Sequence, residues 1–189
     1  MEKKHERRVM RLAGYDYGRA GAYFVTICTH EHRCLFGRIV DGTMVLNDAG
    51  RVVEKVWDDL PRHYARMETD AFVIMPNHVH GIIVLAPDES SSAAGAEGAM
   101  NRAPTLGNVV RGFKGRVTIG INRMSNISVV RVWQRNYYEH VVRNEKDLDR
   151  IREYIMGNPG RWVEDHDNPA NADRVLRNVG TTRHWSGSS

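Results

Sequence analysis

Residues 71–85 read AFVIMPNHVHGIIVL, two apolar runs broken once, at Pro76-Asn77. Both runs, 71–75 and 78–85, are short and rich in β-branched residues, and the break between them is brief. That pattern predicts two neighbouring antiparallel strands. Along the second strand alternate residues share a face, so His78 and His80 point the same way while Val79 turns to the core on the other side.

The neighbouring segments build outward from this pair. Residues 23–29 (YFVTICT) form a β-branched and aromatic run, a strand with both faces covered. Residues 34–40 and 43–46 flank Asp41-Gly42, a pair suited to a tight hairpin turn. Asn47 or Asp48 then caps a helix whose Val52, Val53, Val56, Trp57 and Leu60 share one face, with Pro61 placed to end it. Thr105 opens a second helix with Leu106, Val110, Phe113, Val117 and Ile121 on one stripe, although Gly107, Gly112, Gly115 and Gly120 weaken it. Residues 127–132 read as a short strand. Asn144 caps a last helix with Glu145 and Asp147 in its first turn and Leu148, Ile151 and Ile155 as the buried stripe. Gly157-Asn158-Pro159 stops it.

Residues 87–103 are small, polar and unpatterned and read as a flexible loop. The tail beyond Val163 lacks periodicity. The order of elements predicts an α+β fold, an antiparallel sheet covered by helices, in one domain over residues 1–163 with a loosely ordered tail over 164–189. A parallel doubly wound sheet is disfavoured, since neither GxGxxG nor GxxxxGK[ST] follows the first strand.

Charge narrows the partners. The balance of 27 Lys+Arg against 23 Asp+Glu gives only +4, but its distribution is one-sided. No acidic residue occurs from Gly98 to Tyr138, a stretch holding Arg102, Arg111, Lys114, Arg116, Arg123, Arg131 and Arg135. The N-terminal arm adds Lys3, Lys4, Arg7, Arg8, Arg11 and Arg19. Such a face attracts a polyanion, of which a phosphate backbone is the usual one. Cys28 and Cys34 alone make neither a disulfide framework nor a zinc site and read as thiols in a reducing compartment. With no apolar run long enough for a membrane span and no secretory h-region, the expected location is the cytoplasm.

Three groups of residues could carry chemistry. His78 and His80 present two imidazoles side by side, a bidentate grip for a divalent metal whose identity the pair does not fix. A third histidine two positions on would suggest a histidine-triad nucleotide hydrolase and HxHxDH a metallo-β-lactamase; Ile82 and Ile83 stand there and reject both. Tyr154 and Asn158 lie four apart, on one helical face. A phenol beside a metal can attack a phosphodiester and form a phosphotyrosine, and Asn158 could offer a carbonyl oxygen as a third ligand. Pro159 biases Asn158 away from helical geometry. The plain alternatives are histidines on a polar strand face, a tyrosine edging an apolar stripe and an asparagine helix cap. Between these groups, residues 132–140 (VWQRNYYEH) mix aromatics, amides and a cation. Trp133 reads as core, Arg135, Asn136 and His140 as nucleic-acid contacts, and Tyr137 and Tyr138 as rival nucleophiles.

Taken in order, YFVTICT, VIMPNHVHGIIV, VWQRNYYEHVVRNEKDL and IREYIMGNP resemble the IS200-type single-tyrosine transposases, in the branch called REP-associated tyrosine transposases. The resemblance covers roughly residues 7–162. It implies a histidine–hydrophobic–histidine (HUH) nuclease fold, a ferredoxin-like antiparallel sheet with helices. It assigns His78 and His80 as metal ligands, Tyr154 as nucleophile and Asn158 to the third ligand position, where IS200 enzymes proper commonly carry the longer Gln. It also implies a cofactor, Mg2+ or Mn2+, and a substrate, single-stranded DNA with hairpins. Cleavage leaves a 5′-phosphotyrosine and a free 3′-OH, and reversal by another 3′-OH joins strands. Arg111, Lys114, Arg116, Arg135, Asn136 and His140 are the expected DNA contacts. Both a homodimer and a monomer fit. The competing readings are a non-catalytic DNA- or RNA-hairpin-binding protein and, last, a zinc hydrolase of small substrates, for which no general-base carboxylate neighbours the histidines.

Overall fold

A computed structural model describes residues 20–87, 104–125 and 131–171. The N-terminal basic arm, nearly all of the loop expected at 87–103, most of the strand expected at 127–132 and the end of the tail lie outside these residues. In chain order the main elements are β1 (Gly21–Cys28), β2 (Gly37–Val40), β3 (Thr43–Leu46), α1 (Asp48–Asp58), α2 (Leu60–His63), β4 (Met67–Ile74), β5 (His78–Leu85), α3 (Leu106–Ser125), β6 (Tyr138–Val142) and α4 (Glu145–Gly157). Four strands form one sheet in the order β4-β5-β1-β6, with every neighbouring pair antiparallel. With α1 between β1 and β4 and α3 between β5 and β6, this is the ferredoxin-like arrangement, α+β as the sequence predicts.

The two faces of the sheet do different work. Tyr23, Val25 and Ile27 of β1 and Val79 and Ile83 of β5 join Val53, Trp57, Val110, Phe113 and Val117 of α1 and α3 in the larger core. Phe24 and Ile82 turn to the opposite face, where Ile151 and Ile155 of α4 cover them. Full burial of each of those two isoleucines contributes about 1.5–3 kcal/mol to holding α4 there. His78 and His80 lie on this second face and are therefore buried.

Local signals explain most elements. The Asn47 side chain accepts from Gly50 N at 2.9 Å and starts α1; Asn144 does the same from Asp147 N at 2.9 Å for α4. Asp41 (φ 49°) and Gly42 (φ 74°) make the tight β2–β3 turn. Pro61 does not end α1 but sits in the first turn of α2, where its missing N–H costs nothing. The glycines of α3 make room: a Cβ on Gly112 would lie 1.9 Å from the Tyr64 hydroxyl, and one on Gly120 would lie 2.6 Å from Val52 Cγ1.

The sequence reading does not mark β6, the fourth strand of the sheet; of the strand expected at 127–132 only residues 131–132 are described, and Trp133 just beyond them makes a single bridge to Thr29. The β6 sequence YEHVV is half polar because this edge strand pairs only with β1. Of the tail expected beyond Val163, residues up to Asn171 are described: Asp167 is buried, and 3-10 turns span Pro159–Glu164 and Pro169–Asn171. Finally, Asn158 keeps helical geometry (φ −63°, ψ −44°) despite Pro159, so its four-residue relation to Tyr154 holds. Among the described residues no helix is long and apolar enough to cross a membrane.

Candidate functional site

His78 and His80 bring their Nε2 atoms to 3.0 Å of each other. Their outer nitrogens are both engaged: His78 Nδ1 meets Asn77 Oδ1 at 2.9 Å, and His80 Nδ1 meets Thr26 Oγ1 at 2.8 Å. The Asn77 amide nitrogen donates elsewhere, so Oδ1 must accept and His78 carries its proton on Nδ1. Its Nε2 therefore presents a lone pair. The Thr26 hydroxyl can donate or accept, which lets His80 place its proton on either nitrogen. Burial, followed by the proximity of His78, holds His80 well below the ordinary histidine pKa. Burial likewise lowers His78, against the pull of Asp167 and Asp165. Two neutral imidazoles with convergent lone pairs fit a divalent cation. Cis ligands about 2.1 Å from an octahedral ion lie about 3.0 Å apart, matching the observed separation.

Helix α4 brings the phenol to this pair. Tyr154 Oη lies 3.5 Å from His80 Nε2, and its ring meets Phe24 edge-on at 6.0 Å. Tyr154 as a whole stays 39% exposed, so it is open to solvent. Burial of its inner part raises the phenol pKa, opposed by the Asn158 amide. One turn on, Asn158 is 4% exposed, and its Oδ1 is buried without a partner of ordinary hydrogen-bond geometry. An orphaned buried carbonyl, one turn along α4 from the Tyr154 phenol, costs about 1–3 kcal/mol, a cost that a cation bound there would relieve. Asp165 adds a carboxylate 3.8 Å from His78 Nε2.

Tyr138, a rival nucleophile, shares the sheet face of His80, since both pair with Thr26 in register. Its ring meets Phe24 at 6.3 Å, whereas Tyr154 is the phenol placed against His80. Tyr137 lies elsewhere, beneath Lys114 at 5.7 Å.

The expected DNA contacts separate. Arg111, Lys114, Arg135 and Asn136 line one pocket of about 440 Å³ with Gly107, Val110 and Tyr137. Within it, Lys114 Nζ donates to the Gln134 and Asn136 carbonyls, both at 3.0 Å, and burial pulls its pKa down to about 8. Lys114 is thus committed to the backbone rather than to solvent. Arg116 lies over the Tyr64 ring at 5.5 Å, and His140 pairs with Asp147 at 3.1 Å. Neither lines the pocket.

Sequence reading passes over Thr26, Asn77 and Asp165. Thr26 sits inside a strand and Asp165 in an unpatterned tail, so no local signal marks either. Asn77 could be suspected from its place before the histidines. It is fully buried, and its amide nitrogen donates to the carbonyls of His32 (3.0 Å) and Asp167 (2.6 Å) while Oδ1 holds His78.

No protein-family model matches the chain. An uncharacterized protein of Haemophilus influenzae is 40% identical over 168 residues, spanning 85% of this chain and 92% of the relative. A second protein of that organism, named "Putative REP-associated tyrosine transposase", is 24% identical over 145 residues, spanning 76% of this chain and 73% of its own length. Among solved structures, a REP-associated tyrosine transposase bound to a REP hairpin shares the fold at a TM-score of 0.51 and 19% identity, covering 99% of this chain and 93% of that one. The sheet order, the paired histidines on one strand and the tyrosine set against them by a helix define the HUH class of α+β proteins. The chain belongs to one family with the 40%-identical Haemophilus influenzae protein, and it is similar in sequence and in fold to REP-associated tyrosine transposases.

Proposed function

We propose that this protein is a metal-dependent endonuclease and strand-transferase for single-stranded DNA carrying hairpins, acting through a 5′-phosphotyrosine on Tyr154. The observation that carries the reading is the approach of the Tyr154 phenol to 3.5 Å from Nε2 of His80, the partner of His78. The REP hairpin bound by the solved relative supports the substrate class.

In this reading His78 and His80, with Asn158 Oδ1 as third ligand, hold Mg2+ or Mn2+, which supplies positive charge for the scissile phosphate and the departing 3′ oxygen. Asn77 and Thr26 keep the imidazole lone pairs aimed inward. Tyr154 loses its proton and its oxygen bonds to phosphorus as the bond to O3′ breaks. The O3′ takes up a proton and leaves as a free 3′-OH. Another 3′-OH can later displace Tyr154, joining the strands with no external energy source because the phosphoester is conserved. Arg111, Arg135 and Asn136 contact the nucleic acid around their shared pocket, and DNA also reaches the N-terminal arm.

Labelled single-stranded hairpin DNA from the gene's own flanks, incubated with Mn2+ or Mg2+, tests this. Wild type should give metal-dependent cleavage and a covalent protein–DNA band, and Tyr154→Phe should give neither. Cleavage surviving the substitution would move the nucleophile to Tyr138, Tyr137 or water. Tight binding without cleavage, by both proteins and with both metals, would replace the enzyme with a hairpin-binding protein.

A further inference from the structure

A second group of metal-binding side chains lies outside the His78–His80 site. Cys28 at the end of β1, His32 in the following loop and Asp167 near the end of the described chain bring one thiol sulfur, one imidazole nitrogen and one carboxylate oxygen within 4.8 Å of one another. Cys28 and Asp167 are both 5% exposed. His32 Nδ1 lies 3.4 Å from Asp167 Oδ1. Two ligands about 2.0–2.1 Å from a tetrahedral ion lie about 3.4 Å apart, so this edge already has the spacing of a zinc site.

We propose that Cys28, His32 and Asp167 form a site for a thiophilic divalent ion, zinc by its donor chemistry, separate from the His78–His80 pair. A thiolate with an imidazole and a carboxylate suits zinc; magnesium and manganese prefer all-oxygen or oxygen-rich sets. Three protein ligands leave the fourth position to water. The ion would tie the end of β1 to the segment at 165–167, which runs past the His78 imidazole.

The surroundings are built for it. Asn77 grips both carrier segments through the carbonyls of His32 and Asp167, which pre-organises two of the three ligands. Glu31 and His32 sit at φ 56° and 52°, a left-handed pair that costs about 1–2 kcal/mol per residue and turns the His32 ring towards Asp167. The Lys114 ammonium interacts with Cys28 and favours its thiolate, the ligating form. The outer His32 Nε2 meets the Gln134 amide at 2.8 Å. Reversing that amide presents Oε1 to an Nε2–H, the second-layer bond a ligating imidazole needs. Binding releases the Cys28 thiol proton and leaves His32 neutral. Cysteine spacing carries no hint of this site, because its other two ligands are not cysteines and one comes from the far end of the chain.

Cobalt reports the site directly. Full-length protein stripped with chelator and titrated with Co2+ should show tetrahedral visible bands and a sulfur-to-cobalt charge-transfer band, both bleached by a stoichiometric amount of zinc. The charge-transfer band should vanish in Cys28→Ser and weaken in Asp167→Asn. It should persist in Cys34→Ser and in a His78→Ala/His80→Ala double variant. Absence of the band in wild type would overturn the proposal, and that result does not depend on any variant folding. Loss of the band in the double variant would also overturn it, assigning the thiolate to the ion of the His pair. Loss in Cys34→Ser alone would assign the sulfur to Cys34. The readout contains no DNA, so failure of this site and failure of the proposed cleavage activity are scored separately.

Discussion

Replacing Asn77 with alanine removes three hydrogen bonds through one fully buried side chain. Two run from its amide nitrogen to the carbonyls of His32 (3.0 Å) and Asp167 (2.6 Å), and one comes from His78 Nδ1 at 2.9 Å. A neutral hydrogen bond is worth about 1 kcal/mol net, and a buried partner stripped of its bond costs about 1–3 kcal/mol. Allowing for partial relaxation, the loss should be about 3–5 kcal/mol. That is a large share of the roughly 5–15 kcal/mol that holds a domain together. It should appear in chelated buffer as a lower urea midpoint with an unchanged slope. Because His78 also loses the bond that fixes its tautomer, Mn2+ affinity by calorimetry should fall about 10–100-fold. Amide exchange at 165–167 should accelerate as well, since that segment loses its anchor. An alanine variant within about 1 kcal/mol of wild type, with unchanged Mn2+ affinity, would refute the assignment of Asn77 as the shared clamp. Asn77→Asp separates the roles: it keeps an acceptor for His78 but turns a carboxylate oxygen towards two carbonyls, so metal affinity should survive better than stability.

Further outcomes follow from single contacts. Arg111→Ala and Arg135→Ala should each reduce the salt dependence of DNA binding by about one unit of slope. Lys114→Met should instead lower stability, because its ammonium serves the carbonyls of Gln134 and Asn136; salt titrations and melting curves distinguish the two. Gly81→Ala should cost about 1–3 kcal/mol by overpacking, since its Cβ would lie 2.4 Å from Trp57 Cη2, in a ring stacked on Phe72 at 4.1 Å; the melting temperature reads this. The Arg152 guanidinium bonds Asp70 and holds its carboxyl below the usual carboxylate range. Stability from this pair is therefore present above the unfolded aspartate pKa near 4 and lost as pH falls through the lower folded value. Urea midpoints of wild type and Asp70→Asn should converge over that acid window, and a gap that persists below it would contradict the pairing.

Local periodicity made much of this legible. Alternation along β5 put Val79 in one core and the histidines on the other face, and capping asparagines marked the starts of α1 and α4. What stayed hidden depends on the third dimension. YEHVV does not advertise a strand, because an edge strand with one neighbour tolerates polar side chains. Asp165 and Asp167 lie in a stretch with no period of its own; the Asn77 amide and side chains far away in sequence order it. Arg111, Lys114, Arg135 and Asn136 were selected for charge and polarity and do meet, yet charge alone could not show that Lys114 is spent on backbone carbonyls, nor that Arg116 and His140 face other partners.

The reach of the Tyr154 phenol is set by residues with no chemistry of their own. Each residue of an α-helix turns by about 100°, so a small rotation of α4 would carry Tyr154 away from His80. Two features fix that rotation. Ile151 and Ile155 lock one stripe against Phe24 and Ile82. Across from them, the strand irregularity between Thr69 and Phe72 re-aims Asp70 out of the sheet, where it takes Arg152 at 2.9 Å and 2.6 Å. Arg152 and Tyr154 are two positions apart on the helix, so the ion pair and the phenol lie on different sides of the apolar stripe and oppose each other's rotation about it. A strand irregularity on β4, the strand just before the histidines, thereby helps hold the Tyr154 phenol beside the His80 imidazole.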